Sequence, residues 1–432
     1  MSGIVGVCTD KLVGAAHPII YGTYALQHRG QVSIGVALLD YNQLFVRKGS
    51  GQINALFPDN ISMNIPGDSG LGHVKYGEYL KYDIEQPIMP KEYKVNGVNC
   101  LIALDGNILN KDFSLHKMVR ALNASLQEGK EYLSKLQGAF SGIYLDPYKM
   151  IGFRDPVGLK PICAGKFNHG YMLASETCAI DSMGGELIRP LDNGEIVIVQ
   201  NNEIEFHRYT EKVPKKKCIF ELVYTSRPDS YFDGTSVYQA RNRMGQILYE
   251  ECPTEADIVM GAPDSGLIAA VGYAEASKIP YKDGIIKNRY VGRTFLTTDE
   301  NERKTDIFIK LNPIKEVLKD KEIILVDDSI VKGSTTKRTI QMLKNAGCKK
   351  VHVRISSPIL KHSCNLSMDT PDASELMAYN RDVEEIRKSI NADSLYYISM
   401  EGLLKACGQD EFCDNCFTGN YPIEPYQEDL WV

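Results

Sequence analysis

The 432-residue chain lacks several features that would assign it to a large class of proteins. No apolar run reaches the roughly 18 residues that a membrane-spanning helix needs, so we expect no transmembrane segment. The first five residues carry neither a charged leader nor a long apolar core, and we therefore expect no secretory signal peptide. Internal repeats and low-complexity segments are also lacking, which argues against a repeat architecture.

An excess of positive charge is missing too. The chain carries 49 Lys and Arg against 55 Asp and Glu, a net charge of −6, which argues against general nucleic-acid binding. A phosphate site would therefore have to be locally basic. Eleven cysteines without a secretion signal favour a reducing cytoplasm, where neighbouring cysteines bind metal more often than they form disulfides. The length and the 43% hydrophobic content predict two or three domains with sizeable cores.

The strongest pattern lies in residues 323–336. Four apolar residues predict a buried strand, and two adjacent carboxylates, Asp327 and Asp328, end it. A turn of small and hydroxyl residues follows, and residues from about 335 to 346 are typical of a helix. Amides at a helix N-terminus suit phosphate, hydroxyls add donors, and carboxylates suit ribose hydroxyls or Mg²⁺. The alternative is an ordinary helix cap, for which two acids and four hydroxyls are more than is required. The hydroxyl residues are Ser329, Ser334, Thr335 and Thr336.

This stretch closely resembles the phosphoribosyl pyrophosphate (PRPP) motif of type I phosphoribosyltransferases. The sequence of residues 326–333 is similar to that of the glutamine PRPP amidotransferase family. Enzymes of this family make phosphoribosylamine, the first committed intermediate of purine synthesis. The resemblance covers nearly the whole chain. It implies an α+β N-terminal-nucleophile (Ntn, class II glutaminase-like) αββα sandwich over residues 1–230. An α/β type I phosphoribosyltransferase domain with a cysteine-containing tail is implied over residues 231–432.

The first half has the strand-rich pattern of such a sandwich. Apolar runs at residues 4–7, 34–39, 101–104 and 195–199 predict strands, and two longer stretches, at about 16–27 and 116–136, predict helices. The resemblance rests here on residues 24–31, 72–74, 86–87, 154–156 and 174–179.

The residues that would handle glutamine depart from the family. Its members begin with a Cys whose thiolate attacks the amide and whose α-amine acts as the base, whereas here Ser2 stands there, natural or engineered. An Arg that binds the glutamine carboxylate is replaced by Lys75, which lacks the two-pronged geometry. The family's Asn-Gly-Asn forms the oxyanion hole. Here the sequence is Asp105, Gly106 and Asn107, and an ionised Asp donates no hydrogen bond.

These changes predict that glutaminase activity is lost or vestigial. Removing one oxyanion donor typically costs roughly 10²–10³ in rate, and a repelling charge should cost more. The family's run that binds the glutamine amine has no counterpart between Met118 and Gly138. Two interpretations of the domain remain open: a retained scaffold, or a pocket in which Asp105, with Glu78 or Glu85, favours a cation.

The second half alternates strands and helices, as an α/β sheet requires. The composition changes at 215–222, and the segment 224–230 that follows resembles the family's inter-domain crossing. An amphipathic helix is predicted next, over 237–250. A strand at 256–261 leads into the turn 263–266, where acid, hydroxyl and Gly let backbone amides approach a pyrophosphate. With the next strand at 351–355, the site should lie at the carboxyl ends of parallel strands.

The resemblance assigns roles to these loops. The turn 263–266 corresponds to the family's pyrophosphate loop, and Ser265, Asp327 and Asp328 are expected to hold Mg²⁺, with both carboxylates ionised near a cationic ribose ring. The residues expected to bind PRPP are Asp264, Ser265, Gly266, Lys310, Asp327, Asp328, Ser329, Gly333, Ser334, Thr335 and Thr336.

Residues 286–295 carry three cations, two aromatics and a glycine. Composition alone permits a solvated basic loop, but the run resembles the family's mobile catalytic loop, which folds over PRPP and excludes water. Lys287, Arg289 and Arg293 are expected to neutralise the leaving diphosphate, together with Lys310. The expected reaction is displacement at ribose C1 by ammonia, catalysed by positioning and by stabilisation of diphosphate.

A Cys-x₂-Cys pair, Cys413 and Cys416, is too small to form a metal site by itself, and free structural thiols are the alternative. In the iron–sulfur branch of the family, one more Cys precedes Ile-Phe-Glu and another precedes Asp-Thr-Pro. Cys218 and Cys364 match those positions. Four thiolates fit a [4Fe–4S] cluster or zinc, and the number of ligands does not separate them. The resemblance favours the cluster, which would connect the domain junction with the tail.

Taken whole, the resemblance implies a cytoplasmic pentosyltransferase that forms phosphoribosylamine from Mg-PRPP and ammonia in purine biosynthesis. It also implies a homodimer or homotetramer, purine nucleotides as inhibitors, and neither nucleic acid nor membrane as a partner. Two alternatives stay open: a paralogue that transfers phosphoribosyl to another amine, and a PRPP-sensing regulator without turnover. The segments 263–266 and 287–295 disfavour the regulator, which needs only the binding motif.

Overall fold

The structure is a computed structural model that describes residues 2–9, 14–41, 43–58, 65–76, 88–167, 170–288, 311–408 and 411–423. None of the helices in these ranges combines the length and the apolar character that a membrane crossing requires.

Two antiparallel sheets make up most of the first half of the described chain. Their strands are β1 (Ser2–Thr9), β2 (Ser33–Asp40), β3 (Gln43–Ser50), β4 (Ser69–Lys75), β5 (Lys91–Val95), β6 (Val98–Ile108), β7 (Gly138–Leu145), β8 (Lys149–Arg154), β9 (Cys163–Phe167), β10 (Gly170–Ala174), β11 (Glu186–Pro190), β12 (Glu195–Gln200) and β13 (Glu203–Arg208). The first sheet has the order β11-β9-β10-β1-β4-β2-β3, and the second has the order β13-β12-β8-β7-β6-β5.

The two sheets pack face to face. Because side chains alternate along a strand, one face of each sheet contributes to a shared core that contains Ile4, Leu71, Leu101, Ile143 and Val197. Helices cover the outer faces. They are α1 (Ala16–Ala25), α2 (Ile53–Leu56) and α5 (Thr177–Asp181) on the first sheet, and α3 (Leu115–Ala124) and α4 (Leu126–Ser134) on the second. This arrangement confirms the predicted αββα sandwich.

The single helix expected over about 116–136 is wrong, because the chain forms two helices there. Ser125 lies between them in an extended conformation, with φ −161° and ψ 163°, and its hydroxyl accepts a hydrogen bond from the Glu128 N–H at 3.1 Å. A Ser with this geometry caps a new helix and does not continue the old one. The helix expected over 16–27 ends at Ala25 and continues as a short 3₁₀ turn, Gln27–Arg29.

The second half contains a four-stranded parallel sheet with helices on both faces. Four of the strands in this half form that sheet, and the other six form three two-stranded pairs, β14 with β23, β15 with β16 and β18 with β19. The strands of this half are β14 (Lys217–Cys218), β15 (Tyr231–Phe232), β16 (Thr235–Ser236), β17 (Ile258–Gly261), β18 (Ile285–Lys287), β19 (Leu311–Pro313), β20 (Glu322–Asp327), β21 (Lys350–Ile355), β22 (Ser394–Tyr397) and β23 (Phe412–Cys413). Its helices are α6 (Val237–Glu251), α7 (Leu267–Ser277), α8 (Lys315–Leu318), α9 (Ser334–Asn345), α10 (Val383–Ile390), α11 (Met400–Cys407) and α12 (Asn415–Thr418), with short turns at Glu221–Thr225 and Ala373–Glu375. The parallel order is β17-β20-β21-β22.

The near-continuous apolar run of β20 explains why both faces are covered. Ile324 and Val326 face a core shared with α6, α7 and α11, whereas Ile323 and Leu325 face a core shared with α9 and α10. Alternation along the strand therefore sends the two sets in opposite directions. The α/β phosphoribosyltransferase arrangement expected for this half is confirmed.

Buried charges join the two halves. Arg29 is fully buried, and its guanidinium donates to both oxygens of Glu221, at 2.9 and 2.8 Å. The same side chain donates to Glu176 at 2.6 Å and to the Ser2 carbonyl at 2.9 Å. Glu221 lies in the turn at the junction, and Arg241 of α6 donates to two carbonyls of that turn region, each at 2.8 Å. One guanidinium thus connects the start of β1 with the domain junction.

Replacing Glu221 by Ala should destabilise the protein strongly, because Arg29 would remain buried without its two-pronged acceptor. We expect a loss of roughly 3–5 kcal/mol, the usual effect of removing one partner from a buried ion pair. Urea unfolding followed by circular dichroism measures this loss. The control is E131A, which removes an exposed ion pair with Lys135 and should leave the unfolding midpoint nearly unchanged. Equal effects of the two variants would contradict the assignment.

Candidate active site at the domain junction

A cavity of about 810 Å³ lies where the carboxyl ends of β17 and β20 face the first domain. The second domain contributes Pro263, Ser265 and most of residues 327–336 to its walls. The first domain contributes Gln31, Val32, Ser50, Gly51 and Tyr76. A third wall is formed by Met368–Pro371. The two phosphate-binding loops predicted from the sequence therefore open into one space, at the edge of the sheet where α/β proteins bind ligands.

Hydrogen bonds tie these two loops together. The Ser265 hydroxyl donates to Asp328 Oδ1 at 2.6 Å, and the Ser329 hydroxyl donates to Asp328 Oδ2 at 2.6 Å. The Asp328 N–H in turn donates to Asp327 Oδ1 at 2.9 Å. The peptide bond between Pro263 and Asp264 is cis. The predicted magnesium-binding residues, Ser265, Asp327 and Asp328, thus form one hydrogen-bonded group.

Two glycines are required by the backbone at these loops. A Cβ on Gly266 would lie 2.3 Å from the Val326 carbonyl oxygen, so the turn can approach β20 only without a side chain. Gly333 has φ +74° and directly precedes α9. The first turn of α9, which contains Ser334, Thr335 and Thr336, lines the cavity. Its leading N–H groups have no acceptor within the helix, an arrangement that suits a phosphate.

The acidic pair has an unusual electrostatic environment. Burial, together with the adjacent Asp328 carboxylate, raises the pKa of Asp327 well above its usual range. In the protein by itself Asp327 therefore binds a proton more readily than an ordinary carboxylate does. A divalent cation would reverse this balance, because it stabilises both carboxylates in their charged forms.

The structure places one cation of the predicted catalytic loop at the pyrophosphate turn. Lys287, at the end of β18, donates a hydrogen bond to the Asp264 carboxylate. Arg289, Arg293 and Lys310, the other cations expected to contact diphosphate, lie outside the described residues.

The predicted glutaminase positions lie close to one another in the first domain. Ser2 pairs with Lys75 across β1 and β4. Arg29 donates a hydrogen bond to the Ser2 carbonyl, and the Arg29 guanidinium lies 3.6 Å from Asp105 Oδ2. Gly106 has φ +108°, and a Cβ there would lie 2.0 Å from the Ala139 carbonyl oxygen. A glycine is therefore obligatory at that position.

Asp105 is fully buried and is balanced by cations of the protein itself. Lys160 Nζ lies 3.1 Å from Asp105 Oδ1, and Arg29 approaches the other oxygen. Burial alone would raise the pKa of Asp105, but Lys160 and Arg29 outweigh it and hold the pKa below its usual range. Asp105 thus carries a negative charge that the protein's own cations balance. The expectation that it attracts an outside cation does not fit this environment, and Glu78 and Glu85 lie outside the described residues.

The four cysteines matched by sequence meet in one buried cluster at the domain junction. Parallel pairing of β14 with β23 sets Cys218 beside Cys413, and Cys364 and Cys416 lie in the same core, all four at most 6% exposed. Burial, with the charges of the other three thiols, raises the pKa of Cys416 well above its usual range. The Ser367 and Met368 N–H groups each lie 3.3 Å from Cys364 Sγ.

The number of donors does not by itself select a metal, since four thiolates fit zinc as well as a [4Fe–4S] cluster. Among the described residues, no three His, Cys, Asp or Glu side chains are gathered closely enough to hold one metal ion. A zinc ion needs its sulfurs about 2.3 Å away, and hence tightly grouped. In iron–sulfur proteins, hydrogen bonds to the sulfurs help set the reduction potential of the cluster.

Sequence reasoning missed several residues around the site. Arg29, Glu176 and Glu221 belong to segments that carry the resemblance, yet no role followed from their spacing. Lys160 was not singled out, although a lysine between Leu159 and Pro161 in an apolar stretch is a signal for a buried charge. The cavity walls from the first domain could not be predicted, because they depend on how the domains pack.

Comparisons with known proteins agree with this geometry. Residues 228–373 match the family described as "Phosphoribosyl transferase domain". The chain is 38% identical to the amidophosphoribosyltransferase of Archaeoglobus fulgidus and 37% identical to that of Methanocaldococcus jannaschii, with 98% of each chain covered. The structure of glutamine PRPP amidotransferase from B. subtilis, complexed with ADP and GMP, matches with a TM-score of 0.89 at 36% identity, over 99% of this chain and 98% of that chain.

The raised pKa of Asp327 predicts that the affinity for Mg-PRPP depends on pH. Below that pKa, ligand binding must expel a proton, so affinity should fall by about tenfold per pH unit as the pH decreases. Above it, affinity should level off. Isothermal titration calorimetry in buffers of different ionisation enthalpy measures the released proton. Replacing Asp328 by Asn removes the neighbouring charge and should move the pH dependence to more acidic values. A pH-independent affinity without proton release would contradict this view.

Proposed function

The chain belongs to the amidophosphoribosyltransferase family, and from that premise we propose that it forms phosphoribosylamine from Mg-PRPP and ammonia, with glutaminase activity lost or vestigial. As a family member the protein is a pentosyltransferase of purine biosynthesis. The proposal that ammonia is used and that glutaminase activity is lost rests on a contrast between two sites. The loops around the cavity keep their acids, hydroxyls and glycines, whereas the oxyanion position holds an ionised Asp105 balanced by Arg29 and Lys160.

In this proposal the cavity binds PRPP with its phosphate at the N-terminus of α9. Asp327 and Asp328 bind the ribose hydroxyls and Mg²⁺, and Ser265 orients Asp328 through its 2.6 Å hydrogen bond. The turn 263–266 binds the diphosphate of Mg-PRPP. Lys287, which contacts Asp264 of this turn, neutralises charge on the departing diphosphate. Ammonia attacks ribose C1, the bond from C1 to the diphosphate oxygen breaks, and the amine product loses a proton to water.

The first domain supports this reaction as a wall of the cavity. Tyr76 and Gln31, which line the cavity, directly follow Lys75 and Gly30 of the former glutaminase region. Ammonia in water is a competent nucleophile at C1 and needs no strong base. Exclusion of bulk water would protect an amine product that hydrolyses readily.

The decisive experiment measures PRPP-dependent release of diphosphate with ammonium and with glutamine separately. We expect turnover with ammonium and little or none with glutamine. Replacing Lys287 by Met should lower the ammonium-dependent rate by roughly 10²-fold, since it removes one donor to the leaving group. K282M, in the exposed segment before β18, is the matched control and should keep the rate. Equal turnover with glutamine would refute loss of glutaminase activity, and tight PRPP binding without turnover would identify a regulator. Turnover only with a larger amine would identify a paralogue.

We also propose a [4Fe–4S] cluster held by Cys218, Cys364, Cys413 and Cys416. When bound, such a cluster supplies a covalent link among four thiolates and so connects the junction strand with the tail. Burial, reinforced by neighbouring negative charges, raises the pKa values of Cys218, Cys413 and Cys416, and metal binding would offset this by stabilising the thiolate form. Zinc is the alternative, because four thiolates would fit it as well.

Protein purified without oxygen should therefore be brown and should contain iron and sulfide. Replacing Cys413 by Ser should abolish the colour and lower the unfolding midpoint, since one ligand of the cluster is lost. C407S is the matched control, because Cys407 is also buried in this core but is not one of the four. Stoichiometric zinc in a colourless wild-type protein would contradict the proposal.

The remaining properties are proposed on the family resemblance. The boundary between the domains is placed at residues 230 and 231, just before β15. A homodimer or homotetramer, a cytoplasmic location and inhibition by purine nucleotides complete the proposal. The B. subtilis relative was solved with ADP and GMP, which supports testing both nucleotides as inhibitors.

A further inference from the structure

The segment from Cys364 to Pro371 belongs to two sites at once. Cys364 is one of the four clustered thiols, and Met368–Pro371 form a wall of the cavity. Hydrogen bonds make the segment one compact unit, since the Cys364 N–H donates to Thr370 Oγ1 at 2.7 Å. The Ser363 hydroxyl donates to the Pro371 carbonyl, also at 2.7 Å. A displacement of this unit would therefore move the cavity wall.

The first domain contacts this unit through its altered glutaminase region. Lys160 Nζ donates to the Ser367 carbonyl at 3.1 Å, and Asn107 Nδ2 donates to the Asn365 carbonyl at 3.1 Å. The Lys160 side chain is fully buried, and its Nζ also lies 3.1 Å from Asp105 Oδ1. A continuous path thus runs from Asp105 through Lys160 to Ser367.

The charge of Asp105 is what keeps Lys160 in this place. Among the described residues, Asp105 is the carboxylate within ion-pair distance of Lys160. A buried ammonium without a counter-charge is strongly unfavourable, so it would lose its proton or move toward water. The family's Asn at position 105 carries no charge. Asp105 and Lys160 therefore depend on each other in this chain.

We propose that Asp105 is a positioning residue for the transferase site, because its ion pair with Lys160 keeps Lys160 Nζ on the Ser367 carbonyl and thereby sets the Met368–Pro371 wall. Asp105 contacts neither PRPP nor ammonia and acts only through Lys160 and Ser367. The position that the family uses to stabilise an oxyanion thus supports the neighbouring cavity here. This inference rests on the proposed function in one respect, namely that the cavity binds PRPP.

A double-mutant cycle tests the proposal. D105N should raise both the Kd of Mg-PRPP, measured by calorimetry, and the KM for PRPP by about tenfold, because small misplacements of a binding wall weaken positioning. The value of kcat with ammonium should change by less than about twofold, since no catalytic group is altered. K160M should have a similar effect. The double variant D105N/K160M removes both charges and should recover most of the affinity.

The control is K135M, which removes a single charge from an exposed ion pair of 2.9 Å and should change neither Kd nor KM. Should D105N fail to fold, K160M and K160R still decide the matter, because K160R keeps the charge and should retain affinity. A lower unfolding midpoint with unchanged PRPP affinity in D105N or K160M would overturn the proposal. A double variant as weak as D105N would overturn it too.

Failure of the proposed function gives a different result. Calorimetry of Mg-PRPP binding needs no turnover, so wild-type protein that binds PRPP but releases no diphosphate with ammonium refutes only the reaction. Unchanged affinity across the whole cycle refutes only the role of Asp105.

Discussion

The buried guanidinium of Arg29 is the interaction on which the structure of the domain junction depends. A fully buried cation is tolerated only where carboxylates surround it, and here they come from separate parts of the chain. Glu176 lies at the start of α5, Glu221 lies in the junction turn, and Asp105 lies on β6. The Leu222 and Ser226 carbonyls beside Glu221 accept hydrogen bonds from Arg241 of α6, which connects this buried network to the second domain. The shape of the cavity depends on how the domains pack at this junction, since both domains contribute its walls.

The parallel sheet then decides where chemistry takes place. The ends of β17 and β20 are adjacent because the two strands pair in parallel, from Ile258 with Ile323 to Gly261 with Val326. This register brings the pyrophosphate turn and the acidic pair within one hydrogen bond of each other. The glycine at position 266 permits that approach, and the hydroxyl of Ser265 completes it.

Much of this was predictable from local patterns, and the remainder was not for identifiable reasons. The apolar run of β20, the small-residue turns and the helix that begins at Ser334 are encoded within short windows, so the sequence alone places them. The break at Ser125 was missed because a serine within a helical pattern does not show whether it caps. The raised pKa of Asp327 and the pairing of Asp105 with Lys160 depend on tertiary neighbours. For the same reason the sequence predicted that an ionised Asp105 donates no hydrogen bond, but not which cations balance its charge.

The parallel pairing of β14 with β23 has a consequence for biosynthesis. β14 leaves the ribosome before the whole transferase sheet, whereas β23 follows that sheet in the chain. The long loop between them must close before these two short strands can pair, which makes their contact an entropically demanding and late step. A nascent chain that has completed its first domain therefore presents Cys218 as an unpaired thiol until translation is almost finished. The four thiols can therefore come together only after nearly the whole chain has been synthesised.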